Sequence, residues 1–265
     1  MLTFASIVPH PPIIIPTIGK LDDLKTVSKT IHAMERLTKE FAKTKTQTLI
    51  VVSPHGPIEA SQFSIVESPT LAGHFYNFGD FETEFLFRND ENLIGLIRKE
   101  CQKESLPLKI INNIKELDHG TLVPLCYLLK GLPNLKIVPL TYSFLDQHSH
   151  FNFGKKLKEA INQSNGKIGI IASGDLSHRL APDAPADYSP QGKEFDEKII
   201  QFLEKKDVGK ILNIDPGLIK EAGECGYRSI ITLLGALDNI NWEPETLSYE
   251  SPFGVGYLVF NFKLF

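Results

Sequence analysis

Short β-rich runs alternate with longer stretches of helical periodicity along nearly the whole chain, and this alternation constrains the fold more than any other feature. It is the pattern of a largely parallel sheet whose connections are helices covering both faces. Thr48 to Ser53 is an almost unbroken apolar run, as expected for a strand buried on both sides. Thr3 to Val8 reads as the first strand. Between them Leu24, Val27, Ile31, Met34, Leu37 and Phe41 recur at spacings of three and four, the apolar stripe of one helix. The alternation predicts further strands over 62–66, 108–111, 136–141 and 167–172, and helices over 91–104, 121–130, 151–162, 192–204, 208–213 and 226–237. A hairpin over 246–262 closes the chain. No repeat, low-complexity tract or linker divides it, so residues 1–265 are expected to form one three-layer α/β domain around a central, mostly parallel sheet.

Composition narrows the function. A hydrophobic content of 42% supplies a substantial core, and 28 basic against 32 acidic residues leave a formal charge of only -4. Nothing in that balance points to nucleic acid or an anionic membrane, so a small molecule or a protein is the expected partner. Met1 to Ile15 is apolar but lacks a basic start and is interrupted by Pro9, Pro11 and Pro12, unlike a signal peptide. No other run approaches the roughly 18 apolar residues of a membrane span. A soluble, cytoplasmic protein is expected. Cys101, Cys126 and Cys225 are an odd number in unrelated settings and form no disulfide framework; Cys101 and Cys126 read as small core residues.

Four of the eight histidines sit in tight turns rich in Pro, Gly or Asp, and three of these turns follow a predicted strand directly. The segments are Val8-Pro9-His10-Pro11-Pro12, Ser53-Pro54-His55-Gly56-Pro57, Leu117-Asp118-His119-Gly120 and Ser173-Gly174-Asp175-Leu176-Ser177-His178. The carboxyl ends of parallel strands line the ligand crevice of such folds, so histidines from separate βα units can converge there. His10 and His55 end successive strands about one βαβ unit apart, on turns stiffened by proline, and are the expected metal ligands. A single histidine of this kind is usually a satisfied polar residue; the repetition is what argues for a site. His32, His148 and His150 fall on polar helical positions, and His74 in a loop, 72–75. A third ligand, usually a carboxylate, is expected from Glu221-Ala222-Gly223-Glu224-Cys225-Gly226, just before an apolar helix; an ordinary acidic helix start explains that segment equally well.

With these residues assembled, the sequence resembles the B-subunit (LigB-like) family of class III extradiol ring-cleavage dioxygenases. It is most similar to the branch containing the Memo proteins and the bacterial and archaeal proteins associated with AMMECR1-type domains and radical SAM enzymes. The ordered set PHPP, SPHG, LDHGTLVPL, SGDLSHRL, EAGECG and SYESPFGVGY carries the resemblance across essentially the whole chain. It implies Fe(II), or another divalent transition metal, on His10, His55 and a third ligand at Glu224 or Cys225. Glu224 supplies the family's carboxylate, whereas Memo-type sequences place a cysteine where Cys225 stands. It further implies that His119 and His178 act as acid and base on a catecholic substrate and O2. His178 is the first choice for the base, with Asp175 as its orienting partner. AMMECR1-type or radical SAM proteins are the implied protein partners, and a homo-oligomer is the expected assembly. Two other readings compete: a Memo-like metal-binding protein without ring cleavage, acting through a protein partner or metal redox chemistry, and a metallohydrolase with an open metal site.

Overall fold

The apolar runs that open the chain become the centre of a ten-stranded sheet. β1 (Leu2–Val8) leads through α1 (Leu21–Thr26) and α2 (Ser28–Thr44) to β2 (Thr48–Ser53). β3 (Phe63–Val66), β4 (Leu71–Phe75) and β5 (Asp80–Asn89) follow, then α3 (Glu91–Lys103) and β6 (Leu108–Ile111). Helix and strand then alternate through α4 (His119–Leu128), β7 (Lys136–Thr141), α5 (Gln147–Gln163) and β8 (Ile168–Ser173). Four helices, α6 (Pro190–Glu204), α7 (Val208–Leu212), α8 (Pro216–Ala222) and α9 (Tyr227–Ala236), precede the closing hairpin of β9 (Trp242–Glu250) and β10 (Tyr257–Leu264). The computed structural model describes residues 1–132 and 134–265, and among them no helix is long and apolar enough to cross a membrane.

Along the sheet the strands run β4-β5-β7-β2-β8-β1-β10-β9. β7, β2, β8 and β1 are parallel neighbours, while β10 and β9 add to β1 as an antiparallel ribbon. Each central strand sends alternate side chains into two separate cores. Ile50 and Val52 of β2 join α3, α5, α6 and α9 on one face, and Leu49 and Val51 join α2 and α4 on the other. Burial on both faces is why these strands read as continuous apolar runs. Asp90, Asp118, Asp146, Asp207 and Asp215 start five of the helices, each carboxylate accepting an N–H from the first turn.

Several elements differ from the sequence expectation: β4, β5 and the short helix α8 are additional, and the first helix is divided. The stripe from Leu24 to Phe41 is two helices, because the chain turns at Val27 and α2 starts afresh where Glu250, from β9, accepts Thr30 N at 2.8 Å and Thr30 Oγ1 at 2.6 Å. That cap comes from 220 residues away in sequence, beyond the reach of local periodicity. His74 lies in β4, within an antiparallel hairpin with β5, rather than in a loop. The hairpin carries Glu82, Glu84 and Arg88 outward and only a few core side chains inward, so its pattern is faint.

The tightest helix packing is between α5 and α9. An added Cβ at Gly235 would lie 2.1 Å from the carbonyl oxygen of Phe151, a backbone atom with no room to retreat. Gly235→Ala should therefore cost about 1–3 kcal/mol or more through overpacking. Urea denaturation at equilibrium will show this as a lowered midpoint; an unchanged midpoint would mean that α5 and α9 separate more easily than described.

Candidate metal centre

Three side chains leave adjacent parallel strands at the same relative position. His10, His55 and Asp175 are each the second residue beyond the end of their strand, β1, β2 and β8, which stand side by side in the sheet. Their turns open at the carboxyl edge of the sheet, where such folds place ligands. The Nε2 atoms of His10 and His55 come within 2.9 Å of each other. α4 starts beside them, and its first residue, His119, stacks on His55 at a ring separation of 4.2 Å. One ring nitrogen from each of His10, His55 and His119 can be chosen so that all lie within 4.8 Å of one another.

Hydrogen bonding fixes which nitrogen of His10 is free. The Ser173 hydroxyl, at the end of β8, donates to Gly120 O at 2.5 Å and therefore has no proton left for His10. It can only accept, at 3.0 Å, from His10 Nδ1. His10 is thus the Nδ1–H tautomer, and its Nε2 lone pair points into the cluster, as a metal ligand's must. His55 is positioned through its backbone: its N–H donates to Ser53 Oγ at 3.2 Å, and that hydroxyl donates to Asp118 Oδ1 at 2.5 Å. Because Asp118 also caps α4, the turn after β2 and the start of α4 share one knot.

A second donor group meets the first at His10. Cys225 Sγ lies 3.7 Å from His10 Nε2, and His10, Asp175 and Cys225 together offer three donor atoms within 4.8 Å of one another. Asp175 accepts the backbone N–H of His10 at 3.0 Å, with its other oxygen 3.9 Å from His10 Nε2. The strand end and the Cys225 loop touch through paired glycines: a Cβ on Gly174 would fall 2.1 Å from Gly226 Cα. Asp175 N then donates to Cys225 Sγ at 3.3 Å, and Gly226 N to Asp175 O at 2.9 Å. Glu224 is not brought to this cluster. Its Oε2 accepts Tyr227 N at 2.5 Å at the start of α9, a favourable place for a carboxylate.

Burial sets the charge state of the donors. Burial, followed by the neighbouring imidazoles of His55, His119 and His178, holds His10 well below the ordinary histidine range. His55, the most exposed of the three, still comes down to about 4 through lost hydration and the adjacent His119, with Asp118 opposing. His119 and His178 are lowered by burial as well. Burial pushes the Asp175 carboxyl up to about 7 and the Cys225 thiol above its usual value. Neutral imidazoles beside a buried carboxyl and thiol form a donor set that fits a divalent transition metal, whose charge would offset the two anions. His178, reached from the same loop as Asp175, is half-buried with its ring beside the backbone of Leu176 and Gly223, and the Asp175 carboxylate turns to the His10 N–H instead of orienting it. Phe78, from the β4–β5 hairpin, sets its ring 5.4 Å from that of His119. A cavity of about 240 Å3 flanks His55, walled by Pro57, Leu117, Asp118 and Thr141.

Asp175 was foreseen only as a partner of His178, and Ser173 not at all. The signal for Asp175 was present in its spacing, since it occupies the same post-strand position as the two histidines.

The family model described as the catalytic LigB subunit of aromatic ring-opening dioxygenase matches residues 4–260. Protein CA_C1420 of Clostridium acetobutylicum is 34% identical over 267 residues, covering 98% of this chain and 57% of that protein, so the chain spans little more than half of that relative. The 3,4-dihydroxyphenylacetate 2,3-dioxygenase of Escherichia coli is 23% identical, over 78% of this chain and 79% of its own. A MEMO1 family protein of Methanococcus maripaludis is 28% identical, over 67% and 57%. The crystal structure of the uncharacterized protein JW3007 from Escherichia coli K12 matches with a TM-score of 0.65 at 20% identity, over 98% of this chain and 99% of that one, a likeness of fold.

The Ser173 contact makes a specific demand. Ser173→Ala removes the acceptor that holds the His10 proton on Nδ1, and should weaken metal binding about 10–100-fold with the fold retained. Competitive titration against a chelating dye measures this; unchanged affinity would show that the tautomer is set by something else.

Proposed function

This chain belongs to the LigB family, and from that premise we propose that it is a non-haem Fe(II) enzyme that brings O2 to a catecholic or similarly chelating aromatic substrate and opens the ring beside the diol. The observation that carries the proposal is the convergence of His10 Nε2 and His55 Nε2, 2.9 Å apart, with His119 against them at the carboxyl edge of the sheet. The relative named for 3,4-dihydroxyphenylacetate supports a substrate with two adjacent ring oxygens.

His10 and His55 would hold the metal, with Cys225 as the third protein ligand and Asp175 beside it. Bound there, Fe(II) would supply Lewis-acid and O2-activating chemistry beside a chelating diol. His178, held neutral by burial, takes the second hydroxyl proton. His119, half-buried at the mouth, is the second acid/base group, and the Phe78 ring beside it walls the substrate from water.

One observation favours a second reading. Cys225 Sγ is in the cluster and the Glu224 carboxylate is not. A thiolate is a softer ligand than the usual carboxylate and favours redox chemistry or another metal, as in a Memo-like protein without ring cleavage. Anaerobic loading with Fe(II), followed by a catechol panel read by oxygen uptake and metal analysis, separates the two. Oxygen consumed in step with diol supports ring cleavage; stoichiometric metal with no uptake across the panel supports the second reading.

Substitutions test the roles one by one. His10→Ala and His55→Ala should each leave the protein folded with far less than stoichiometric metal; near-full occupancy in both would remove them as ligands. Cys225→Ser should weaken binding, whereas Glu224→Ala should leave it nearly unchanged, and the reverse result would return the third position to Glu224.

His119→Phe and His178→Phe should keep the metal and lower turnover by roughly two to four orders of magnitude, the usual range for loss of a general acid or base. Steady-state rates beside metal stoichiometry decide this: metal lost from both would make them ligands, and full activity in both would make them structural.

A further inference from the structure

Behind the segment that carries Cys225 lies a compartment of about 510 Å3 that shares no side chain with the histidine cluster. Its size is that of a small-molecule pocket. Phe144, Leu145, Pro216 and Ile219 give it apolar walls, and Lys220 and Arg228 give it two cations. The Arg228 guanidinium carbon is 5.7 Å from the ring centroids of both Tyr142 and Phe144. Stacking of this kind holds the planar fork in place without using its N–H donors.

The nearby acids are already engaged. Asp146 Oδ1 accepts Ser149 N at 2.7 Å to cap α5, Glu224 accepts Tyr227 N, and Glu221 pairs with Arg179 at 3.3 Å. Among the described residues neither Lys220 nor Arg228 makes an ion pair or a side-chain hydrogen bond. The Arg228 charge stabilises the neighbouring Glu224 carboxylate, but no donor of its fork is taken up, and a pre-oriented guanidinium with free donors beside an apolar wall matches a ligand that is anionic at one end and hydrocarbon at the other. A bare inorganic anion would leave the apolar walls without a partner.

We propose that this cavity is a binding site for a small aromatic carboxylate, its anion held by the Arg228 fork and its ring lying against Phe144 and Ile219. The site stands apart from the metal: Gly223, Glu224 and Tyr227 form its inner side, and no residue of the cluster lines it. It does not depend on the dioxygenase reading.

Calorimetric titration of the metal-loaded protein tests it, with phenylacetate as probe, 2-phenylethanol as its uncharged counterpart and inorganic phosphate as the bare anion. Phenylacetate should bind at least about tenfold more tightly than either, as expected for charge-assisted hydrogen bonds to a carboxylate. Arg228→Met should lose that advantage with an unchanged thermal transition. Arg228→Lys, which keeps the charge without the planar fork, should lose most of it and serves as the test where the methionine variant is unstable. His55→Ala, deficient in metal, should bind phenylacetate as the parent does. Parent-like affinity in the Arg228 variants overturns the proposal. So does loss of binding in His55→Ala, which would put the carboxylate on the metal. Phosphate binding as tight as phenylacetate, or no phenylacetate binding at all, overturns it equally.

Discussion

The Ser173 hydroxyl joins three parts of the chain that fold as separate elements. It sits at the last residue of β8, donates to the first turn of α4 through Gly120 O, and accepts from the imidazole that follows β1. A hydroxyl has one proton, so committing it to Gly120 dictates the tautomer of His10, and the tautomer dictates where the free lone pair points. The chemistry at Nε2 is therefore decided by a backbone carbonyl on a helix from the middle of the chain. A cysteine or alanine at 173 would fit the strand equally well and would leave that orientation unset.

A matching knot holds the other half of the cluster. Asp118 caps α4 and at the same time receives Ser53 Oγ, which receives the His55 N–H. The beginning of α4 is thus tied to the ends of both β8 and β2. His119, as the first residue of that helix, is placed against His55 by the same bonds that end the strands. Precision at the site comes from rigid element ends and from the second contacts that tie the post-strand loops to them.

The strands of the site were legible because they are buried on both faces and therefore nearly all apolar. The post-strand histidines were legible because proline and glycine mark their turns. What was not legible depends on partners distant in sequence. Val27 breaks the first helical stripe, and the new start is capped by Glu250 from the far end of the chain. The β4–β5 hairpin buries few side chains and carries charges on its outer face, so neither periodicity stands out. Ser173 looked like an ordinary strand end and Asp175 like a partner of His178 alone; their contacts with His10 appear only once β8 is seen between β1 and β2.

Which of Glu224 and Cys225 faces the histidines follows from how the chain enters α9. Glu224 and Cys225 are adjacent, so they point in different directions and only one can face the strands. The contact of Gly174 with Gly226 brings the backbone of this segment directly against the end of β8. Cys225 turns to that side, while the Glu224 carboxylate meets the unpaired N–H groups that open the helix, where an anion is favoured. Moving Glu224 inward would strip α9 of that contact and would expose a thiol in its place. The helix start and the donor cluster therefore take two neighbouring residues in opposite directions: the Glu224 carboxylate meets backbone amides, and the Cys225 sulfur meets the His10 imidazole.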